Sequence, residues 1–295
     1  MMRWLVLGAN GMIGRSLVGA LEATAQDVKT VGRHPTSDYF WSLDAPFPVH
    51  LLEGVDVVVN LIGAPIMDQR WTTQRWVDLK YTRVESTQAV VTACQTLADR
   101  SIHVVNASAV GIYEWDVLAD EQGPLGHHPV AELVTQWERP LAALPAHQLE
   151  TRLRLGVVLS QQGGALPRLA TLARWGLGGT LGVGTQWVSW IHVADVLAAI
   201  QHCVAHRVTG PVNLVSPFPQ SNHVWMGAIR RQVGVRWGMP APAWGLQMVL
   251  GDRACMVLKG HRAIPQRLLD SGYSFQFPSL DMALCEAMSG THSQV

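Results

Sequence analysis

Lysine is nearly missing from this 295-residue chain: Lys29, Lys80 and Lys259 stand against nineteen arginines, and charged residues make up only 15% of the whole. The 22 basic and 22 acidic side chains cancel. With no net field to draw it to nucleic acid or an anionic membrane, a generic nucleic-acid binder is excluded, and solubility rests on Arg, His and neutral polar groups. Cysteine is equally sparse. Cys94, Cys203, Cys255 and Cys285 are scattered without a Cys-x-x-Cys pair, which excludes a small disulfide-framed secreted fold and suits reduced thiols in the cytoplasm. The apolar start, Met1 to Leu7, runs straight into Gly8-Ala9-Asn10-Gly11, so no signal-peptide cleavage region follows it. Long hydrophobic runs are missing too. The charge-free stretch Trp237 to Gly251 is broken by Gly and Pro and falls short of a membrane span, so no membrane partner is expected. There is no Gly-x-Ser-x-Gly elbow, Cys-His nucleophile pattern or Walker loop.

What is present is 48% hydrophobic residues, enough for one large domain or two modest ones. Short β-branched runs alternate with longer helical ones: Trp4 to Leu7, a helix over Met12 to Ala23, Val28 to Val31, Val55 to Ile62, a helix over Trp76 to Leu97, Ile102 to Val105, and Arg152 to Leu159. The strands are continuous apolar runs, as expected when helices cover both faces of a parallel sheet. The expectation is an α/β fold, a Rossmann doubly wound parallel sheet of about six strands with a smaller C-terminal substrate lobe. Residues 1–160 and 188–205 are assigned to the nucleotide-binding domain, residues 161–187 and 206–288 to the lobe, and residues 289–295 to a flexible tail.

Gly8-Ala9-Asn10-Gly11-Met12-Ile13-Gly14 lies between the first strand and the first helix. A turn without side chains there lets backbone N–H groups and the helix N-terminus approach a pyrophosphate. The spacing is Gly-x-x-Gly-x-x-Gly, not the ordinary Gly-x-Gly-x-x-Gly fingerprint. About 20 residues further on, a NAD site would present an acidic side chain to the ribose. The chain instead has Val31-Gly32-Arg33-His34. Arg33 either meets the 2′-phosphate of NADP(H) or simply solvates the strand end.

Together with Asn60-Leu61-Ile62-Gly63 and Ser108-Ala109-Val110-Gly111 with Tyr113, this spacing resembles the extended short-chain dehydrogenase/reductase superfamily. The segments Arg154 to Leu159, Gly163-Gly164-Ala165-Leu166, Gly176 to Gly179, Trp190 to Asp195 and Ile264 to Arg267 are similar to its atypical epimerase-family branch, which includes the YfcH-like proteins and short-chain dehydrogenase family 39U. The resemblance implies NADP(H) held by Gly8, Asn10, Gly11, Met12, Ile13, Gly14, Arg33, Leu61, Ile62 and Gly63. It also implies a small-molecule substrate of the nucleotide-sugar kind, and leaves the oligomeric state open.

The superfamily's usual acid/base device is Tyr-x-x-x-Lys, whose Lys lowers the Tyr pKa. It is missing: four residues after Tyr39, Tyr81, Tyr113 and Tyr273 stand Leu43, Glu85, Val117 and Phe277. Where the pair is expected stands Trp137-Glu138, and Arg83 replaces an Asn that normally faces the reaction centre. Ser108, Tyr113, Glu138 and Arg83 are therefore the catalytic candidates. Arg83 and Glu138 either bind substrate and move a proton or neutralise each other. The site works either as an oxidoreductase or epimerase, or as an NADP(H) sensor that no longer turns over. No metal is expected. His202 and His206 are four apart on a helix but lack a carboxylate, and His127-His128 reads as a loop. His192 is expected to brace a loop and Asp195 to cap the helix that follows. Trp71, Trp76, Trp175, Trp187 and Trp190 belong to the core or to a ring-binding pocket.

Overall fold

Arg3–Leu7 (β1) shows why the chain builds a sheet covered on both faces. Trp4 and Val6 join one hydrophobic cluster, while Leu5 and Leu7 join another, as the two-residue alternation of a strand dictates. The computed structural model describes residues 1–97 and 100–289. After β1 come α1 (Met12–Ala23), β2 (Asp27–Gly32), β3 (Tyr39–Phe40), β4 (Val57–Asn60), α2 (Thr73–Gln95) and β5 (His103–Ala109). Next are β6 (Leu118–Ala119), α3 (Pro129–Glu138), β7 (Leu149–Leu155), β8 (Val157–Leu159), α4 (Leu166–Arg174), β9 (Trp187–Val188), β10 (Trp190–His192), α5 (Val193–Ala205) and β11 (Gly210–Leu214). The last part holds β12 (Gln220–Ser221), α6 (Asn222–Gln232), α7 (Ala243–Leu250), α8 (Cys255–Leu258), β13 (Arg262–Ala263), α9 (Gln266–Asp270) and α10 (Leu280–Ser289).

Seven strands form one parallel sheet in the order β11-β7-β5-β4-β1-β2-β3. The chain winds outward from β1 through β2 and β3, then returns to lay β4 on the other side of β1. The carboxyl ends of β1 and β4 thus flank the crevice where such sheets take ligands. Leu17 and Leu21 of α1 and Val196, Ala199, Ile200 and Cys203 of α5 cover one face; Val90, Val91, Ala93 and Cys94 of α2 cover the other. Each such aliphatic side chain, fully buried, contributes roughly 1.5–3 kcal/mol. A separate cluster joins Ala170 and Ala173 of α4, Trp225 and Ile229 of α6, and Leu280 and Leu284 of α10 around Leu159 and Trp190.

Two expectations need correction. The apolar run Arg152 to Leu159 is not one strand. A side chain at Gly156 would lie 2.6 Å from the Ser189 carbonyl oxygen, and there the chain leaves the sheet: β7 stays in it, while β8 pairs with β10. Residues 210–214, assigned to the smaller lobe, instead form β11 at the sheet edge, in register with Thr151 to Leu155. Of the expected tail, Ser289 ends α10, and residues 290–295 lie outside the described residues. Among the described residues no helix is long and apolar enough to cross a membrane.

Candidate active site

The glycine turn is sterically obligatory at two of its three positions. Gly8 has φ +78°, and a Cβ there would sit 2.8 Å from the Leu61 carbonyl carbon; a Cβ on Gly14 would meet the Gly8 oxygen and Ala9 backbone. Gly11 differs. Its nearest obstacle is the Gly8 oxygen at 3.3 Å, and it is the N-cap of α1 without any side-chain cap. The first turn of α1, Met12 to Gly14, thereby presents backbone N–H groups that no side chain caps, the arrangement that receives a phosphate. Asn10 ties this turn to the loop after β2: its Nδ2 donates to Ser37 Oγ at 3.3 Å and its Oδ1 accepts from Thr36 Oγ1 at 3.3 Å. Arg33 opens that loop and is exposed, with no hydrogen bond or ion pair among the described residues.

At the carboxyl end of β4, buried Asn60 donates to Asn106 Oδ1 at 2.8 Å and to Ser86 Oγ at 3.3 Å, and accepts from the Ile62 N–H at 3.2 Å. Leu61 and Ile62 are therefore held against Gly8 in the glycine turn, while Gly63, next in the chain, lies beside Arg83.

Beyond them lies a closed polar network. Ser108, near the end of β5, donates to Glu138 Oε1 at 2.5 Å. Both Glu138 oxygens accept from Arg154 on β7, from Nε and Nη2 at 2.9 Å each. Arg154 Nη1 donates to the Tyr113 hydroxyl at 2.8 Å, and that hydroxyl donates to Asn213 Oδ1 at 2.7 Å. Glu121 completes the set, accepting from the backbone N–H of Asn213 at 2.9 Å and of Arg267 at 3.2 Å. Burial by itself would lower the Arg154 pKa, but Glu138 beside it raises it above the ordinary range. Burial also pushes the Tyr113 phenol up to about 12, against the opposing pull of Arg154 and Asn213. Tyr113 has no exposed surface. Val134 and Glu138 keep the spacing of the missing Tyr-Lys pair, and Val134 is buried beside Tyr113.

Arg83 stands apart from this network. It is 9% exposed, its guanidinium lies 5.0 Å over the Trp137 ring, and its Nη1 donates to the Leu79 carbonyl at 3.1 Å. Of the two readings of Arg83 and Glu138, mutual neutralisation is not what the structure has: Glu138 pairs with Arg154, and among the described residues Arg83 has no ion pair. Burial and the nearby Arg75 lower its pKa to about 10, so it is a cation at neutral pH. The structure thus brings Ser108, Glu138 and Tyr113 into one chain of hydrogen bonds and leaves Arg83 outside it, beside Gly63 and the Trp137 ring.

Arg154, Glu121 and Asn213 were not expected at the site. A single charged residue within the apolar run Leu153 to Leu159 is the one signal the sequence offers for a buried partner. His192 and Asp195 exchange their expected roles. His192 Nδ1 caps α5 by accepting from the Ala194 N–H, whereas buried Asp195 accepts from the Tyr273 hydroxyl and the N–H groups of Gln276 and Phe277. His127 and His128 lie in a loop, as expected, and there His128 Nδ1 caps α3 while its ring stacks on Trp115 at 3.9 Å. Trp190 is core, Trp175 is 80% exposed, Trp71 and Trp76 pack on each other at 4.8 Å, and Trp187 lies under the Arg262 guanidinium at 4.1 Å. His202 and His206 stack at 4.0 Å, and among the described residues no group of three or more His, Cys, Asp or Glu is placed to hold a metal ion.

An uncapped glycine turn at the switch point of a doubly wound parallel sheet, with polar side chains gathered at the ends of β4 and β5, defines an extended short-chain dehydrogenase/reductase fold. Residues 4–131 match the NAD dependent epimerase/dehydratase family, and residues 241–287 match a domain of unknown function, DUF1731. An epimerase family protein of Staphylococcus aureus (strain NCTC 8325 / PS 47) is 30% identical over 96% of this chain and 98% of its own length. The chain belongs to this epimerase family. The crystal structure of the human epimerase family protein SDR39U1 (isoform 2), solved with NADPH, is 33% identical and superposes with a TM-score of 0.89, covering 98% of this chain and 99% of the human one. A nucleoside-diphosphate sugar epimerase from Corynebacterium glutamicum is 25% identical with a TM-score of 0.80, over 97% of this chain and 58% of that protein.

Proposed function

We propose that this protein binds NADP(H) and acts as an oxidoreductase or epimerase on a small hydroxyl- or carbonyl-bearing molecule of the nucleotide-sugar kind. The observation that carries the reading is the glycine cradle, which a Cβ at Gly8 or Gly14 would fill, leading into an uncapped helix N-terminus. The NADPH in the human relative and the name of the C. glutamicum epimerase support the cofactor and the substrate class. In this reading Gly8, Gly11, Met12, Ile13 and Gly14 hold the pyrophosphate, Asn10 fixes the turn, and Arg33 takes the 2′-phosphate. Leu61, Ile62 and Gly63 line the nicotinamide side. When bound, NADP(H) supplies or accepts a hydride.

Ser108, whose proton goes to Glu138, accepts a hydrogen bond from the substrate hydroxyl, and Arg83 faces the ligand with its charge. Glu138 and Tyr113 act as positioning residues: one orients Ser108 through its hydrogen bond, the other braces Arg154. Residues 161–187 and 215–288 make up the substrate lobe. The four free cysteines support a cytoplasmic location. A second reading, an NADP(H) sensor without turnover, is favoured by one specific observation: the phenol nearest Ser108 in sequence is fully buried with a raised pKa.

Titrating NADPH and NADH into the wild type and Arg33→Ala tests the cofactor assignment. The expected preference for NADPH in the wild type is at least about tenfold, or ~1.4 kcal/mol, and it disappears in the variant. Equal affinities in the wild type overturn it. Stopped-flow NADPH oxidation against carbonyl compounds and nucleotide sugars separates enzyme from sensor, with activity that is lost in Ser108→Ala marking the enzyme.

A further inference from the structure

We infer that the open edge of Arg83, backed by Arg75, is the seat of a carboxylate carried by the substrate. The inference deepens the functional reading above and rests on it for the position of the cleft. Four observations converge. Arg83 is a nine-tenths buried cation, and Glu138, the carboxylate that could have neutralised it, is occupied by Arg154. Its Nη1 is spent on the Leu79 carbonyl, while its Nε and Nη2 edge makes no hydrogen bond among the described residues, leaving the two-pronged donor set that matches the two oxygens of a carboxylate. Gly63 lies beside that edge and adds no side chain to it; a Cβ there would be in ordinary contact with the guanidinium carbon at 3.4 Å and Nη2 at 3.5 Å.

The second cation strengthens the case. Arg75 lies two helical turns before Arg83 on the same face of α2, since residues four apart stack along a helix. Its Nη2 donates to the Pro65 carbonyl at 2.5 Å, and its Nε is buried without a partner. The Gly63 to Pro65 segment therefore lies against two guanidinium groups that repel each other. Thr82 Oγ1 accepts from the Ala64 N–H at 3.0 Å and fixes the same segment to α2. Two unneutralised cations at a partly buried site are costly unless a ligand supplies the anion. Carboxylate and phosphate can both pair bidentately with a guanidinium edge, but at a side chain nine-tenths buried the two-oxygen, singly charged carboxylate is the less costly anion to desolvate.

The probes are malonate, its neutral counterpart malonamide, and inorganic phosphate, titrated calorimetrically into the protein with and without NADPH. Malonate is expected to bind, malonamide not, and phosphate more weakly than malonate. Arg83→Gln and Arg83→Met should each weaken malonate at least about tenfold, Arg83→Lys should recover part of it, and Arg75→Gln should cost about three- to fivefold. Arg75→Gln keeps the test independent of the buried position, and NADPH affinity should stay unchanged in all four variants. Malonate binding equal in wild type and Arg83→Met overturns the proposal, as does phosphate binding more tightly than malonate. A parallel loss of NADPH affinity in Arg83→Met also overturns it, by giving the guanidinium to the cofactor. Failure of NADPH to bind the wild type counts against the cofactor reading alone, because the cofactor-free titrations still read the anion seat.

Discussion

Two buried arginines near this site, Arg83 and Arg154, are treated in opposite ways. Arg154 is saturated: a bidentate carboxylate, a phenol and the Glu121 carbonyl take its donors. Arg83 is left with a carbonyl on one nitrogen, an aromatic ring beneath it and no carboxylate. Charge saturated inside the protein makes structure; charge left unsaturated at the end of a sheet makes a ligand site. The contrast also redistributes the catalytic candidates. Glu138 and Tyr113 are bound into the saturated side, and Ser108 gives its one proton to Glu138; in the proposed reading Arg83 keeps free donors for a ligand and Ser108 keeps only its lone pairs.

Breaking the saturated side should have the largest effect. Glu138→Ala leaves the buried Arg154 charge uncompensated, and the expected cost is about 3–5 kcal/mol, read as a lower midpoint in urea unfolding; Arg154→Met should cost somewhat less, because Arg152 Nη1 stays 3.7 Å from Glu138 Oε2. A loss under about 1 kcal/mol would mean that the pair contributes nothing of the kind.

The amino end of β5 gives a pH-dependent effect of the next size. Thr151 Oγ1 donates to the Val208 carbonyl at 2.6 Å, so it must accept from His103 Nε2 at 2.7 Å, which sets the neutral tautomer with the proton on Nε2. Burial, aided by Arg207, lowers the His103 pKa to about 4. Between the unfolded value near 6.5 and that folded value, the unfolded chain binds a proton that the folded one does not. Stability therefore falls as pH drops through this window, by up to about 3 kcal/mol, and His103→Gln should flatten the dependence in thermal melts at pH 7, 6 and 5.

Smaller still is Tyr113→Phe, which leaves Asn213 Oδ1 without its donor and should cost about 1–2 kcal/mol while leaving NADPH affinity untouched. A loss of cofactor affinity would move Tyr113 to the ligand side. The smallest stability change is expected for Arg83→Met, within about 1 kcal/mol or a gain, because the substitution removes a buried charge that nothing neutralises and keeps much of the stem's volume. A loss as large as that of Arg154→Met would erase the contrast.

The glycine turn was legible in the sequence because its constraint is local: Gly14 clashes with Gly8 and Ala9 when given a side chain, so spacing and flanking elements suffice. The parallel sheet was legible from the continuous apolar strands. The saturated network was not, because it depends on which strands become neighbours. Arg154 finds Glu138 only when β7 lies beside β5 with α3 above, and Tyr113 finds Asn213 a hundred residues further along the chain. The break at Gly156 hides in an unbroken apolar run, since the Ser189 carbonyl that requires the glycine belongs to a distant loop. For Arg83 the sequence leaves two readings open, and the one in which Glu138 neutralises it fails for the same reason: which guanidinium Glu138 meets depends on the packing of β7.

The most direct test of this division reads both arginines in one experiment. In protein labelled with 15N-arginine, the Nε–H resonances of Arg83 and Arg154 are assigned by the Arg83→Met and Arg154→Lys variants, and NADPH followed by malonate is added. The account predicts that the Arg83 resonance is exchange-broadened in the free protein, then sharpens and shifts on adding malonate. The Arg154 resonance should be sharp from the start and move little. A shift of Arg154 with Arg83 unmoved would contradict it and put the ligand on the Glu138 side.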